Sequence, residues 1–167
     1  MAQHGTMELM VASLFEELPI DTSVRTVPPH VTVYPWFRLP KCNYSEFMGQ
    51  LDDVIAQTRA PELLASEFAY FGNQVVTLFG ATQSFNVING YDIHAGVFRA
   101  VHELGNPIDD TYTGRAWSPH STHIPGAESI KPNERVQLTN LTILQRTGPA
   151  KHKTVEKVFK WSQQSNS

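Results

Sequence analysis

The chain has 167 residues, 41% of them hydrophobic and 17% charged, with a formal net charge of −3. That composition belongs to a chain that folds around a core, and the length fits a single domain over 1–167 built as two similar lobes, with flexible ends at 1–6 and 162–167. The acidic balance argues against a general grip on long nucleic acid, which rests on neutralising many phosphates, and no apolar run nears the roughly 20 residues of a membrane helix.

The opening MAQHGTMELM has no basic stretch ahead of an apolar one, so no secretory signal is expected and a cytoplasmic location is. Cys42 stands alone, which leaves no internal disulfide and no cysteine-based zinc site. It lies beside Lys41 in a strand-to-helix loop and is a weak nucleophile candidate. Charge is uneven along the chain: residues 1–90 carry nine acids against four bases, and 91–167 carry seven against nine. Arg146, Lys151, Lys153, Lys157 and Lys160 gather near the end, as a solvated final hairpin or a phosphate-attracting rim.

In chain order, MELMVASL (7–14) reads as a strand, with a short helix as the other reading. VTVYPWF (31–37) is β-rich, and Pro35 is expected to end or bulge that strand. Phe47, Leu51, Val54 and Ile55 at helical spacing predict a helix over about 45–59, capped by Asn43 or Ser45. Two strands follow, around 66–71 and 74–80, with Gly72-Asn73 as their turn. Asn89-Gly90 reads as a break. A second helix is expected over about 91–104, where Ile93, Val97, Val101 and Leu104 form a stripe, stopped by Gly105-Asn106-Pro107. Strands near 135–145 and 154–161 complete an α+β chain with a hint of duplication.

The duplication lies in PPHVTVYPW (28–36) and SPHSTHIPG (118–126), each of which writes Pro-His-x-Thr. No further repeat is read. Residues i and i+2 share a face of a strand, so His30 pairs with Thr32, and His120 with Thr122. Tyr34 is expected on the face of His30 and Thr32, with Val31 and Val33 toward a core. Ser121 and His123 are expected opposite His120 and Thr122. Two imidazoles and two hydroxyls facing one space form a plausible metal-free phosphodiester machine. Near neutral pH one ring can be bare and take a proton, while the other is charged and delivers one. The threonines would donate to non-bridging phosphate oxygens.

On these residues the chain resembles the two-histidine (2H) phosphoesterase superfamily, which includes the 2′-5′ RNA ligase-like proteins. The strand and helix order is similar over roughly residues 7–161. The resemblance implies a bilobal α+β fold, with two antiparallel sheets and flanking helices related by a pseudo-twofold axis and a groove between them. It implies His30 and His120 as catalytic residues and Thr32 and Thr122 as substrate-binding ones. It also implies metal-independent attack on 2′,3′-cyclic phosphates or 2′-5′-linked nucleotides. Ser121 and His123 depart from the apolar residues usual in those places.

The expected partner is a small nucleotide or oligonucleotide phosphodiester, taken by a monomer without a cofactor. Two alternatives stay open: a module that binds nucleotides or RNA ends without turnover, and reversible 2′-5′ ligation. Which histidine is the base also stays open. Tyr34, Trp36 and Tyr112 are candidates to stack on a base, and Arg115 to reach a phosphate. Trp117 is read as core. His120 and His123 would diverge on a strand, so no metal site is expected there or at Asp109-Asp110. His94 and His102 are read as packing or hydrogen-bonding residues, and His4 and His152 carry no argument.

Overall fold

Strand β1 (Thr6–Leu14) runs through the middle of the larger sheet, and alternation along it explains why both faces are covered. Leu9 and Val11 turn to one side; Met10, Ala12 and Leu14 turn to the other, and all five are buried. The computed structural model describes residues 5–80, 86–108, 113, 117–127, 129–147 and 152–161. Residues 1–4 and 162–167 of the expected flexible ends lie outside these. Gly5 and Thr6 do not behave as a loose end: Thr6 opens β1, and the Gly5 carbonyl accepts the Lys41 N–H.

The remaining strands are β2 (Ser23–Val24), β3 (His30–Pro40), β4 (Glu62–Phe71), β5 (Gln74–Gly80), β6 (Asn106–Pro107), β7 (His120–Thr122), β8 (Arg135–Gln137), β9 (Asn140–Thr147) and β10 (His152–Lys160). They form a six-stranded sheet ordered β2-β10-β9-β1-β3-β6 and a four-stranded sheet ordered β7-β5-β4-β8. Every pairing among the described residues is antiparallel. The stretch read as one strand over 135–145 is two. β8 belongs to the smaller sheet and β9 to the larger, and the chain crosses between them at Leu138 and Thr139.

Two helices, α1 (Tyr44–Gln57) and α2 (Asn86–Leu104), pack on the Leu9, Val11, Val31 and Val33 face of the larger sheet. Phe47 and Leu51 of α1 and Val97, Ala100 and Val101 of α2 are wholly buried there. A methyl group at Gly96 would come within 2.6 Å of Val54 Cγ2, so the glycine lets the helices approach closely. Asn89-Gly90 does not break α2. An internal glycine costs about 1 kcal/mol relative to alanine, less than the packing of the buried stripe that follows returns. Asn43 precedes α1 without capping it; its side-chain amide donates to the Leu104 carbonyl at 2.7 Å and closes the end of α2 instead. No described helix is long and apolar enough to cross a membrane.

The opposite face of the larger sheet carries a smaller cluster of Met10, Ala12, Leu14, Val27, Leu144 and Val155, with Leu18, Trp36 and Val158 against it. This face also bears His30 and Thr32.

Candidate active site

His30 begins β3, opposite Leu14 of β1, and Thr32 lies opposite Ala12. His120 begins β7, opposite Leu78 of β5, and Thr122 lies opposite Val76. Both threonines and both histidines are half-buried, whereas Val31 and Ser121 between them are buried. Each Pro-His-x-Thr therefore presents its imidazole and hydroxyl to one side. Among the described residues neither threonine hydroxyl has a hydrogen-bond partner within the protein, so both can donate outward.

The proline before each histidine now has a physical account. Proline fixes its own φ and holds the preceding residue extended, which turns that residue's carbonyl toward the imidazole. The carbonyl of Pro28 receives His30 Nδ1–H at 2.7 Å, and that of Ser118 receives His120 Nδ1–H at 2.9 Å. A carbonyl only accepts, so both rings carry their proton on Nδ1 when neutral and leave Nε2 bare. The proline carbonyls extend the ladders: Pro29 accepts the Phe15 N–H and Pro119 the Phe79 N–H, both at 3.1 Å.

These equivalences reach into the neighbouring strands. ASLF (12–15) of β1 and its following turn matches VTLF (76–79) of β5, residue for residue, in register with the two motifs. Phe15 and Phe79 meet edge to face with ring centres 6.5 Å apart. The two halves are thus joined by side chains in equivalent places.

No protein-family model and no curated protein matches this sequence. Solved structures do. Similar ones include TT0787 of Thermus thermophilus, at 16% identity and a TM-score of 0.57, over 93% of this chain and 98% of that one. Another, described as a phosphoesterase, has 15% identity and a TM-score of 0.54 over 95% and 100%. Escherichia coli LigT complexed with NADP+ has 14% identity and a TM-score of 0.53 over 94% and 98%. The fold is that of the two-histidine phosphoesterases.

Within that bilobal two-histidine fold the first imidazole is set apart by its surroundings. Loss of hydration pushes the His30 pKa below its ordinary value; the Pro28 hydrogen bond opposes this, and the nearby charge of His120 lowers it further. Two side chains from elsewhere steady the first motif from behind. His94 of α2 is 2% exposed and donates Nδ1–H to the Val33 carbonyl at 2.8 Å. Trp117 donates Nε1–H to the Thr32 carbonyl at 3.1 Å. The His94 and Trp117 rings stack at 4.6 Å, 3° from parallel. Burial chiefly lowers the His94 pKa as well.

Tyr34 does not join His30 and Thr32. It is 0% exposed, lies among the helix-side core residues, and its hydroxyl shares a 3.1 Å hydrogen bond with His102 Nε2. The cause is a β-bulge: Ala12 faces Thr32 but Val11 faces Tyr34, so Val33 is an extra residue and the faces exchange beyond it. A second irregularity, between Tyr34 and Phe37, spans Pro35, which bulges the strand without ending it. Trp36 lies on the motif's side of the sheet, half-buried, with the Arg146 guanidinium 4.1 Å from its ring centre. Tyr112, Arg115, Asp109 and Asp110 lie outside the described residues.

His123 follows β7 and turns to the back. Its Nε2 is 2.8 Å from Thr77 Oγ1, whose single proton goes to the Ile130 carbonyl at 2.6 Å, so His123 is the donor. Phe71 was not singled out from the sequence, yet its ring centre lies 4.5 Å from that of His120. Its signal was present as three exposed aromatics, Phe68, Tyr70 and Phe71, on a hairpin. Cys42 is exposed on the turn before α1.

Proposed function

We propose that the chain is a metal-independent phosphodiesterase of small nucleotide phosphodiesters, 2′,3′-cyclic phosphates or 2′-5′-linked and cyclic oligonucleotides. The observation that carries this reading is the matched pair of imidazoles, each tied at Nδ1 to the carbonyl two residues back, each beside a threonine hydroxyl without a partner among the described residues. LigT has been crystallised with 3′-AMP, phosphate and ATP as well as NADP+, which supports a small nucleotide as the class of ligand.

In the reaction, bare Nε2 of one ring takes a proton from the attacking water. Nε2–H of the other gives a proton to the departing oxygen. Thr32 and Thr122 donate to the non-bridging oxygens, where charge builds. The division of labour needs one imidazole bare and the other charged. His30, whose hydration is stripped, is the base in this reading, and His120 the acid. Each contributes about 10²–10⁴ in rate.

The test is turnover of 2′,3′-cyclic mononucleotides, 2′-5′ and 3′-5′ dinucleotides and cyclic dinucleotides, with and without chelator. Turnover that survives chelator and is lost in both His30→Ala and His120→Ala is the expected result. Binding without turnover, or activity that needs a divalent metal, would overturn the proposal.

A further inference from the structure

The basic residues near the end of the sequence fall into a row. On the motif-bearing face of the larger sheet, Arg38 of β3 stands opposite Glu8 of β1, and Lys153 of β10 opposite Arg146 of β9. Glu8 joins the two pairs, with Oε1 3.7 Å from Arg38 Nε and Oε2 3.5 Å from Arg146 Nε. Four neighbouring strands thus line up three cations and one carboxylate. The Arg146 guanidinium rests over the indole of Trp36 at 4.1 Å, and Trp36 is itself seated on the Met10 and Leu144 cluster.

This seat fixes the arginine without using all of it. Glu8 engages Nε, and among the described residues the Nη atoms have no partner. Arginine held over an aromatic, with its terminal fork open, suits two-point recognition of a phosphate. Ala12, opposite Thr32, and Glu8 are four residues apart on β1, so the row lies roughly 13 Å along the sheet from the first motif. That is too far for the phosphorus between the histidines.

We propose that Arg146, seated on Trp36, is a second phosphate-binding position, and that the substrate carries a second phosphate beyond the one attacked. This rests on reading His30 and His120 as a phosphodiester site. The class is then a short oligonucleotide or a 5′-phosphorylated dinucleotide, in preference to a cyclic mononucleotide. Trp36 supports the arginine and leaves base stacking to other residues.

The experiment compares wild type with Arg146→Gln on 2′,3′-cyclic AMP, on a 5′-phosphorylated 2′-5′ diadenylate, and on an unphosphorylated 2′-5′ triadenylate. The ratio of kcat/KM on a two-phosphate substrate to that on cyclic AMP should fall about tenfold, the scale of one charge-assisted contact. A fall with the diadenylate assigns the site to a terminal phosphate, and one with the triadenylate to an internucleotide phosphate. Unchanged ratios for both overturn the proposal. If wild type turns over none of the three, the catalytic reading fails, and calorimetric titration with the same two ligands decides the subsite. Equal affinities of wild type and Arg146→Gln would then sink it.

Discussion

The Nε1–H of Trp117 points at the carbonyl of Thr32, 3.1 Å away, so the segment that leads into the second motif holds the backbone of the first. Thr32 and His120 thereby share a mechanical link that bypasses solvent. Trp117→Phe keeps most of the ring and removes the donor, leaving that carbonyl short of a partner at a cost of about 1–3 kcal/mol. The expected outcome is a lower urea midpoint together with a drop in kcat that exceeds any change in KM. A loss of stability with kcat intact would make Trp117 a packing residue only.

Protonation should weaken the fold. His30 and His94 both have pKa values below the ordinary 6.5, mainly through burial. The unfolded chain therefore binds protons more readily between the lowered values and 6.5, and stability rises with pH across that window. Their full contribution is present above pH 6.5 and is lost as pH falls through the lowered values. Urea midpoints at pH 7.5 and 5.5 check this, and His94→Gln should shrink the difference. A midpoint that climbs toward acid would contradict it.

In the proposed reaction the same depressed His30 sets the acid limb. kcat/KM should decline only below pH 6.5 on the acid limb, where the base becomes protonated, giving a bell with its left shoulder displaced downward. A profile flat from about pH 5 to 8 would remove the division of labour between the rings.

Ser13 occupies the place in β1 that Thr77 occupies in β5, opposite the middle residue of its motif. Thr77 is satisfied by His123 and Ile130, whereas Ser13 Oγ is buried without a partner among the described residues. Ser13→Ala removes an unmet donor and should stabilise by about 1 kcal/mol in chemical denaturation. Destabilisation of that size would point to a partner for the hydroxyl.

Asn140 is the converse case. Wholly buried, it accepts the Leu14 N–H at 3.1 Å, donates to the Leu14 carbonyl at 2.9 Å, and pins the residue opposite His30. Asn140→Ala strands both groups and should cost about 2–4 kcal/mol. A loss below about 1 kcal/mol would mean that the end of β1 finds other partners.

The elements and the two motifs were legible because each rests on local rules: period two around His30, helical spacing from Phe47 to Ile55, and proline before histidine. Tyr34 was misplaced because a bulge is a property of two strands, and period two read on one strand cannot register an inserted residue. The division of 135–145 between sheets escaped for a similar reason, since both pieces are extended. ASLF and VTLF were readable as a second echo, but only their pairing beside the motifs gives the likeness meaning. The Arg38, Glu8, Arg146 and Lys153 row needed the register of four strands, which no spacing along the chain encodes.

The crossover at Leu138 and Thr139 has a consequence for how the molecule is assembled. The smaller sheet is complete once residue 137 has been made, whereas the larger one draws its strands from both extremities of the chain. Until β9 arrives, β1 has one unpaired edge, and such edges invite other chains. A product cut short before residue 140 should therefore self-associate, and the slow step of folding should be the late capture of β1 by β9 across more than a hundred intervening residues.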